Sequence, residues 1–210
     1  MKSFAGFYFG TITSPRRAFR ELMTEPKRLR YGVAALLLNA LLYTMVYVFL
    51  TIGNGAPSSF TPWLAIPRDE YYFYNRFMLA PSMIAAWILS AGVAQLLSIA
   101  LHGKGRFEDM IAALGFAIAI ACLASLAHDL PDSFLGALGL LDLRAYEVVL
   151  NSPTIWRAIL LTLYFGSVFW FLFLFTIAVH VVQGLSWPRA VLVGWPSYFV
   201  YQLMFVVFNR

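Results

Sequence analysis

Charge is what this 210-residue chain has least of: charged residues make up 12% of it, while hydrophobic residues make up 61%. A soluble domain carries about a quarter charged residues, so a water-soluble domain with a large core is excluded. Cysteine is nearly absent. With Cys122 alone, no disulfide can form within the chain, and no Cys/His spacing of the zinc type occurs. A cleavable signal peptide is not expected, because the first apolar run begins only at residue 31, is long enough to span and has no small-residue cleavage pattern after it.

Five long runs carry no Asp, Glu, Lys or Arg at all: 31–52, 77–101, 110–127, 158–182 and 190–208. About 20 such residues cross the hydrocarbon core as a helix. The fold class expected is all-α: a polytopic membrane protein whose residues 31–208 form a five-transmembrane-helix bundle. Residues 1–30 form a basic segment ahead of it.

The net charge of +5 does not point to nucleic acid, because the cations flank the apolar runs. Lys2, Arg16, Arg17, Arg20, Lys27, Arg28, Arg30, Lys104, Arg106 and Arg189 fall on one side of the alternating topology, against Arg68, Arg76, Arg144, Arg157 and Arg210 on the other. Asp69, Glu70, Asp129, Asp132, Asp142 and Glu147 accompany the sparser set. Cations collect on the cytoplasmic side. The N-terminus is therefore predicted inside and the C-terminus outside a multi-pass cell membrane protein, most simply a prokaryotic cytoplasmic membrane.

Ser14-Pro15 reads as a helix start, with serine as the cap and proline at the first position. Ala18, Phe19, Leu22 and Met23 share one face of that helix, and Arg16, Arg17, Arg20 and Glu21 the other; Pro26 ends it. Such a helix suits the membrane interface and anionic headgroups. Arg16, Arg17, Phe19 and Arg20 are the expected membrane or partner contact. The first connection holds Pro57, Pro62 and Pro67, which deny it a long helix. Its Phe60, Trp63, Tyr71, Tyr72, Phe73 and Tyr74 suit an aromatic belt.

Small residues recur every fourth position in two runs: Ser82, Ala86, Ser90, Ala94 and Ser98, then Ala113, Ala117, Ala121 and Ser125. Small stripes let membrane helices approach closely. The short connection His102-Gly103-Lys104-Gly105-Arg106 makes the two runs antiparallel neighbours, so the stripes are expected to form a central interface. Glu108 and Asp109 suit a helix N-terminus. Residues 131–151 are too charged to cross. Phe134, Leu138, Leu141, Ala145 and Val148 there predict an amphipathic helix on the outer surface, and Ser152-Pro153 the cap and start of the fourth span. The aromatic-rich fourth run is expected to face lipid broadly. Pro196 in the fifth is expected to kink it.

No acid or base sits mid-run, which argues against an ion or proton translocator. Asn39, Gln95 and Gln202 are the intramembrane polar candidates, read first as interhelical hydrogen bonds. His102 with His180, or His128 with Asp129 and Asp132, are thin metal candidates whose spacing matches no ligand pattern. Ser167 and His180 stand 13 residues apart on one helix, roughly 20 Å, too far for a nucleophile and its base. Gly103-Lys104-Gly105 lacks the spacing of a phosphate loop. No catalytic, cofactor or metal site is expected.

The arrangement resembles the prokaryotic branch of the Yip domain family. The resemblance rests on Thr13-Ser14-Pro15-Arg16-Arg17-Ala18-Phe19 ahead of five spans and on Gly103-Lys104-Gly105-Arg106-Phe107-Glu108-Asp109, and it covers residues 5–208. It implies a five-helix, non-enzymatic integral membrane protein. Eukaryotic members of the family are Golgi and endoplasmic-reticulum proteins that engage Rab GTPases and membrane-shaping partners and carry a long cytosolic N-terminal region. With only a short basic segment ahead of residue 31, Rab binding is not expected. The reading that follows is a protein that organises membrane or recruits a membrane-protein partner or a second copy of itself. A small permease lined by Asn39, Gln95 and Gln202 is the alternative, and an intramembrane enzyme using His128 or His180 comes last.

Overall fold

The computed structural model describes residues 3–57 and 64–209. Lys2, Phe60, Pro62, Trp63 and Arg210 lie outside the described residues. Those described form helices and no strand. The helices are α1 (Phe4–Thr13), α2 (Pro15–Met23), α3 (Arg28–Ile52), α4 (Tyr71–Ala100), α5 (Phe107–Ala121), α6 (Leu123–Ala137), α7 (Leu143–Asn151), α8 (Ile155–Gln183) and α9 (Trp187–Phe208). α3, α8 and α9 are long and apolar enough to cross a membrane, as is α4 with the short turn before it. The pair α5 and α6, bent by 50°, passes the same test together and brings the crossings to as many as five. The protein is an all-α, multi-pass membrane protein.

Several boundaries differ from the sequence expectation. α1 was not expected. α2 ends at Met23, three residues before Pro26. The third run is not one straight helix, since 15 residues of α5 reach only about 22 Å, short of a roughly 30 Å core. At the bend the Cys122 carbonyl accepts both the Leu126 amide at 3.0 Å and the Tyr43 hydroxyl at 3.4 Å. The hydroxyl is thus a second donor on a carbonyl whose helical bond is intact. The helix predicted within 131–151 is split by Gly139 at φ +72°. That turn resets the register. Leu143 and Leu150 of α7 are buried, while Phe134, Leu138, Ala145 and Val148 are exposed. Thr154, not Ser152, caps α8, accepting from the Arg157 amide at 3.4 Å, and Ser152 closes α7 instead.

The chain divides into two compact units, and α3, α4, α8 and α9 each contribute to both. The first comprises Met1–Leu38, Ile84–Ala121 and Val168–Leu203. Its axis is α5, buried at every residue from Met110 to Ala121, as expected of a helix apolar on all sides. α1 packs on α2 and α5, with Phe4 and Phe7 against Phe116 and Tyr31. A Cβ on Gly32 of α3 would sit 2.5 Å from the Ala112 Cα, and one on Gly115 would overlap the Gly32 carbonyl. Only glycine at both positions lets the two backbones meet. Phe171 and Phe175 of α8 pack on Tyr198 and Tyr201 of α9. Most of the C-terminal half of α8 is thus covered, Phe173 excepted, while Trp156, Phe165 and Phe169 of α8 are exposed.

The second unit comprises Asn39–Met83, Cys122–Ser167 and Met204–Arg210. Its core gathers Val46, Tyr47, Tyr71, Tyr72, Leu79 and Leu126. Tyr71 and Tyr72 therefore sit in a core, whereas Phe73 and Tyr74 are exposed. The reason is that the second span starts at Tyr71, and helical spacing sends successive aromatics to different faces. Arg144 ties the first connection down, reaching the Asn54 carbonyl at 3.0 Å and Asp69 at 2.9 Å.

Candidate functional site

The basic helix α2 begins where the Ser14 amide bonds to the Gly10 carbonyl at 2.8 Å and Pro15 takes the first helical position. Ser14 stands at the cap position, but its side chain makes no cap bond. Ala18, Phe19 and Leu22 are buried, and α2 packs on α1 and α5. Burial of a large apolar side chain contributes roughly 2 kcal/mol relative to water. Phe19 is 0% exposed. It anchors the helix and does not belong to the contact surface on which the sequence reading placed it.

Arg16, Arg17 and Arg20 are exposed. Arg17 donates to Glu21 at 2.8 Å, a bond that raises its already high pKa. The Arg16 guanidinium lies 5.8 Å from the centre of the Trp187 ring, within cation–π range. Trp187 stacks in turn on His180 at 4.4 Å, and the Nδ1 of His180 lies 2.6 Å from the Leu185 carbonyl. Ser14, Pro15 and the three arginines, with Phe173 and Ile177 of α8 and Trp187 of α9, line an open groove of about 640 Å³.

A second polar cluster closes the turn between α4 and α5. Gln95 donates to the Gly105 carbonyl at 3.0 Å and accepts from Gln183 at 2.8 Å, and the Gly105 amide donates to Gln183 at 3.0 Å. Gln183, at the end of α8, carried no signal in the sequence. Asp109 pairs with Arg28 and, at 3.4 Å, with Arg106; the helix-start role expected for this acid missed both partners.

Asn39 donates to the Met83 sulfur at 3.5 Å, and Gln202 is half-buried. Among the small residues, Ser82, Ala86, Ser90, Ala94, Ser98, Ala113, Ala117 and Ala121 are buried and Ser125 half-buried. Ser90 bonds back to Trp87 of its own helix at 2.9 Å, whereas Ser82 also accepts from Asn209 at 2.7 Å. A direct bond between the second and third runs comes from a residue outside the stripe: the Trp87 indole donates to the Ile111 carbonyl at 3.0 Å.

The apolar stretch of the third run ends at Ala127, and the histidine cluster follows it. His128 contacts Asp129 at 2.9 Å and Asp132 at 3.2 Å, and Tyr146 of α7 donates to Asp132 at 2.8 Å. Burial, with the Asp132 hydrogen bond, pushes the Tyr146 phenol well above its usual range. Among the described residues no group of three or more His, Cys, Asp or Glu has the arrangement of a metal site.

No curated protein and no solved structure matches this sequence. The Yip1 domain matches it over residues 9–208, nearly its whole length. A multi-pass bundle of apolar helices preceded by a basic helix is thus joined to a match across almost every residue, and the chain belongs to the Yip1 domain family.

Proposed function

We propose that this Yip1-family membrane protein is non-enzymatic and organises membrane or recruits partners through the guanidinium face of α2. The observation that carries the reading is that Arg16, Arg17 and Arg20 are exposed while the opposite face of the same helix is buried in the protein. A cationic platform held in place in this way loses little further conformational freedom when it meets an anionic surface. In this reading the platform faces the cytoplasm of a cell whose plasma membrane holds the protein, with the C-terminus outside. The cation asymmetry along the chain supports that orientation. A permease has less support, because Asn39 and Gln95 each have a protein partner close by.

The test uses full-length protein reconstituted into neutral phosphatidylcholine vesicles and mixed with separate phosphatidylglycerol-containing vesicles. Wild type tethers the two populations, and tethering fades as salt rises because exposed charge is screened. The triple variant R16E/R17E/R20E does not tether. If the variant tethers as well as wild type, the platform has no such role.

A further inference from the structure

The arginine platform borders a groove whose floor is apolar and belongs to a membrane-spanning helix. Ile177 and Phe173 stand six and ten residues before the end of α8 at Gln183. At 1.5 Å per residue the floor therefore runs roughly 9 to 15 Å inward from that end. Ile177 is 2% exposed and Phe173 45%, so Phe173 supplies the open apolar surface beside the arginines. Trp187 edges the same groove, held between Arg16 and His180.

The charge on the rim is only partly neutralised from within. Among the described residues Arg17 has Glu21, whereas Arg16 and Arg20 have no carboxylate partner. A guanidinium presents a planar fork suited to a phosphate. A free inorganic anion would satisfy the rim and leave the floor uncovered. A zwitterionic lipid would cover the floor and bring its own cation to the rim. A phosphodiester of net negative charge carrying acyl chains complements both.

We infer that this groove is a binding site for a single anionic phospholipid, whose phosphate is held by Arg16 and Arg20 and whose acyl chain lies along Phe173. The site rests on the reading that α2 works at a membrane surface, and it adds a seat for one lipid to that diffuse attraction. Arg17, already bonded to Glu21, contributes less.

The test is native mass spectrometry of the full-length protein titrated in detergent with phosphatidylglycerol, phosphatidylcholine or glycerophosphoglycerol, which is the headgroup without chains. Wild type retains one phosphatidylglycerol in preference to either competitor. R16A and R20A each weaken that retention about tenfold, the scale of one charge-assisted hydrogen bond. R17A changes it less. F173A weakens retention with every charge in place, and it leaves the vesicle tethering of the proposed function unchanged. Loss of lipid with tethering intact thus reports on the groove alone, and loss of tethering with lipid retained reports on the platform alone. Equal retention of phosphatidylcholine, equal retention of glycerophosphoglycerol or inorganic phosphate, or wild-type retention by R16A/R20A overturns the inference. So does a groove that retains no lipid, which leaves it to a protein partner.

Discussion

α5 and α6 are each 15 residues long and follow one another directly, yet they are held in opposite ways. α5 is buried along nearly its whole length and meets α3 backbone to backbone at Gly32 and Gly115. In α6 only Leu126, Ser133 and Gly136 are buried, and its tie to α7 joins Leu143 packed over Gly136 to the polar set His128, Asp132 and Tyr146. Where apolar helices have no water to expel, close packing of small residues supplies the attraction. Where the chain leaves the apolar stretch at Ala127, polar side chains become affordable and share the tie.

The largest expected effect breaks the α5 side of this contrast. Gly115→Val forces a side chain into the Gly32 carbonyl and should cost about 3 kcal/mol or prevent folding. Thermal unfolding in detergent measures it, with Gly92→Ala as the control. A Cβ at Gly92 would meet nothing within 4 Å, and alanine favours a helix over glycine, so that variant should lose no stability.

A smaller effect is expected on the α6 side. Tyr146→Phe keeps the ring and removes the hydroxyl that donates to Asp132. A loss of about 1 kcal/mol is expected, seen as faster hydrogen exchange in α6 and α7 with α5 unchanged. The Tyr146 phenol keeps its proton well beyond neutral pH, so with His128 replaced by Gln this loss should not vary with pH around neutrality.

Much of the fold was legible because hydrocarbon is a strict solvent. A run without charge, long enough to cross, has to satisfy its backbone internally as a helix, and α3, α4, α8 and α9 lie where the runs predicted them to within a few residues, save the earlier start of α4 at Tyr71. The basic face of α2 was legible for the same kind of reason, since Arg16, Arg17 and Arg20 recur on one side of a helix. Local periodicity carries no information on what covers a face, so the burial of Phe19 is not legible in it. Gln183 escaped notice because one glutamine near a helix end looks like any solvated polar residue until Gln95 and Gly105 are brought to it.

By itself, the sequence determined that this chain lives in a bilayer, which stretches are helical and where its cations gather, because each of these follows from composition over a window of neighbours. Only the tertiary structure decided that Gly32 meets Gly115 and that Arg16 and Arg20 border a groove floored by Phe173. Contacts between residues more than 80 positions apart depend on which helix faces which, and that is a property of the packed chain that no local pattern contains.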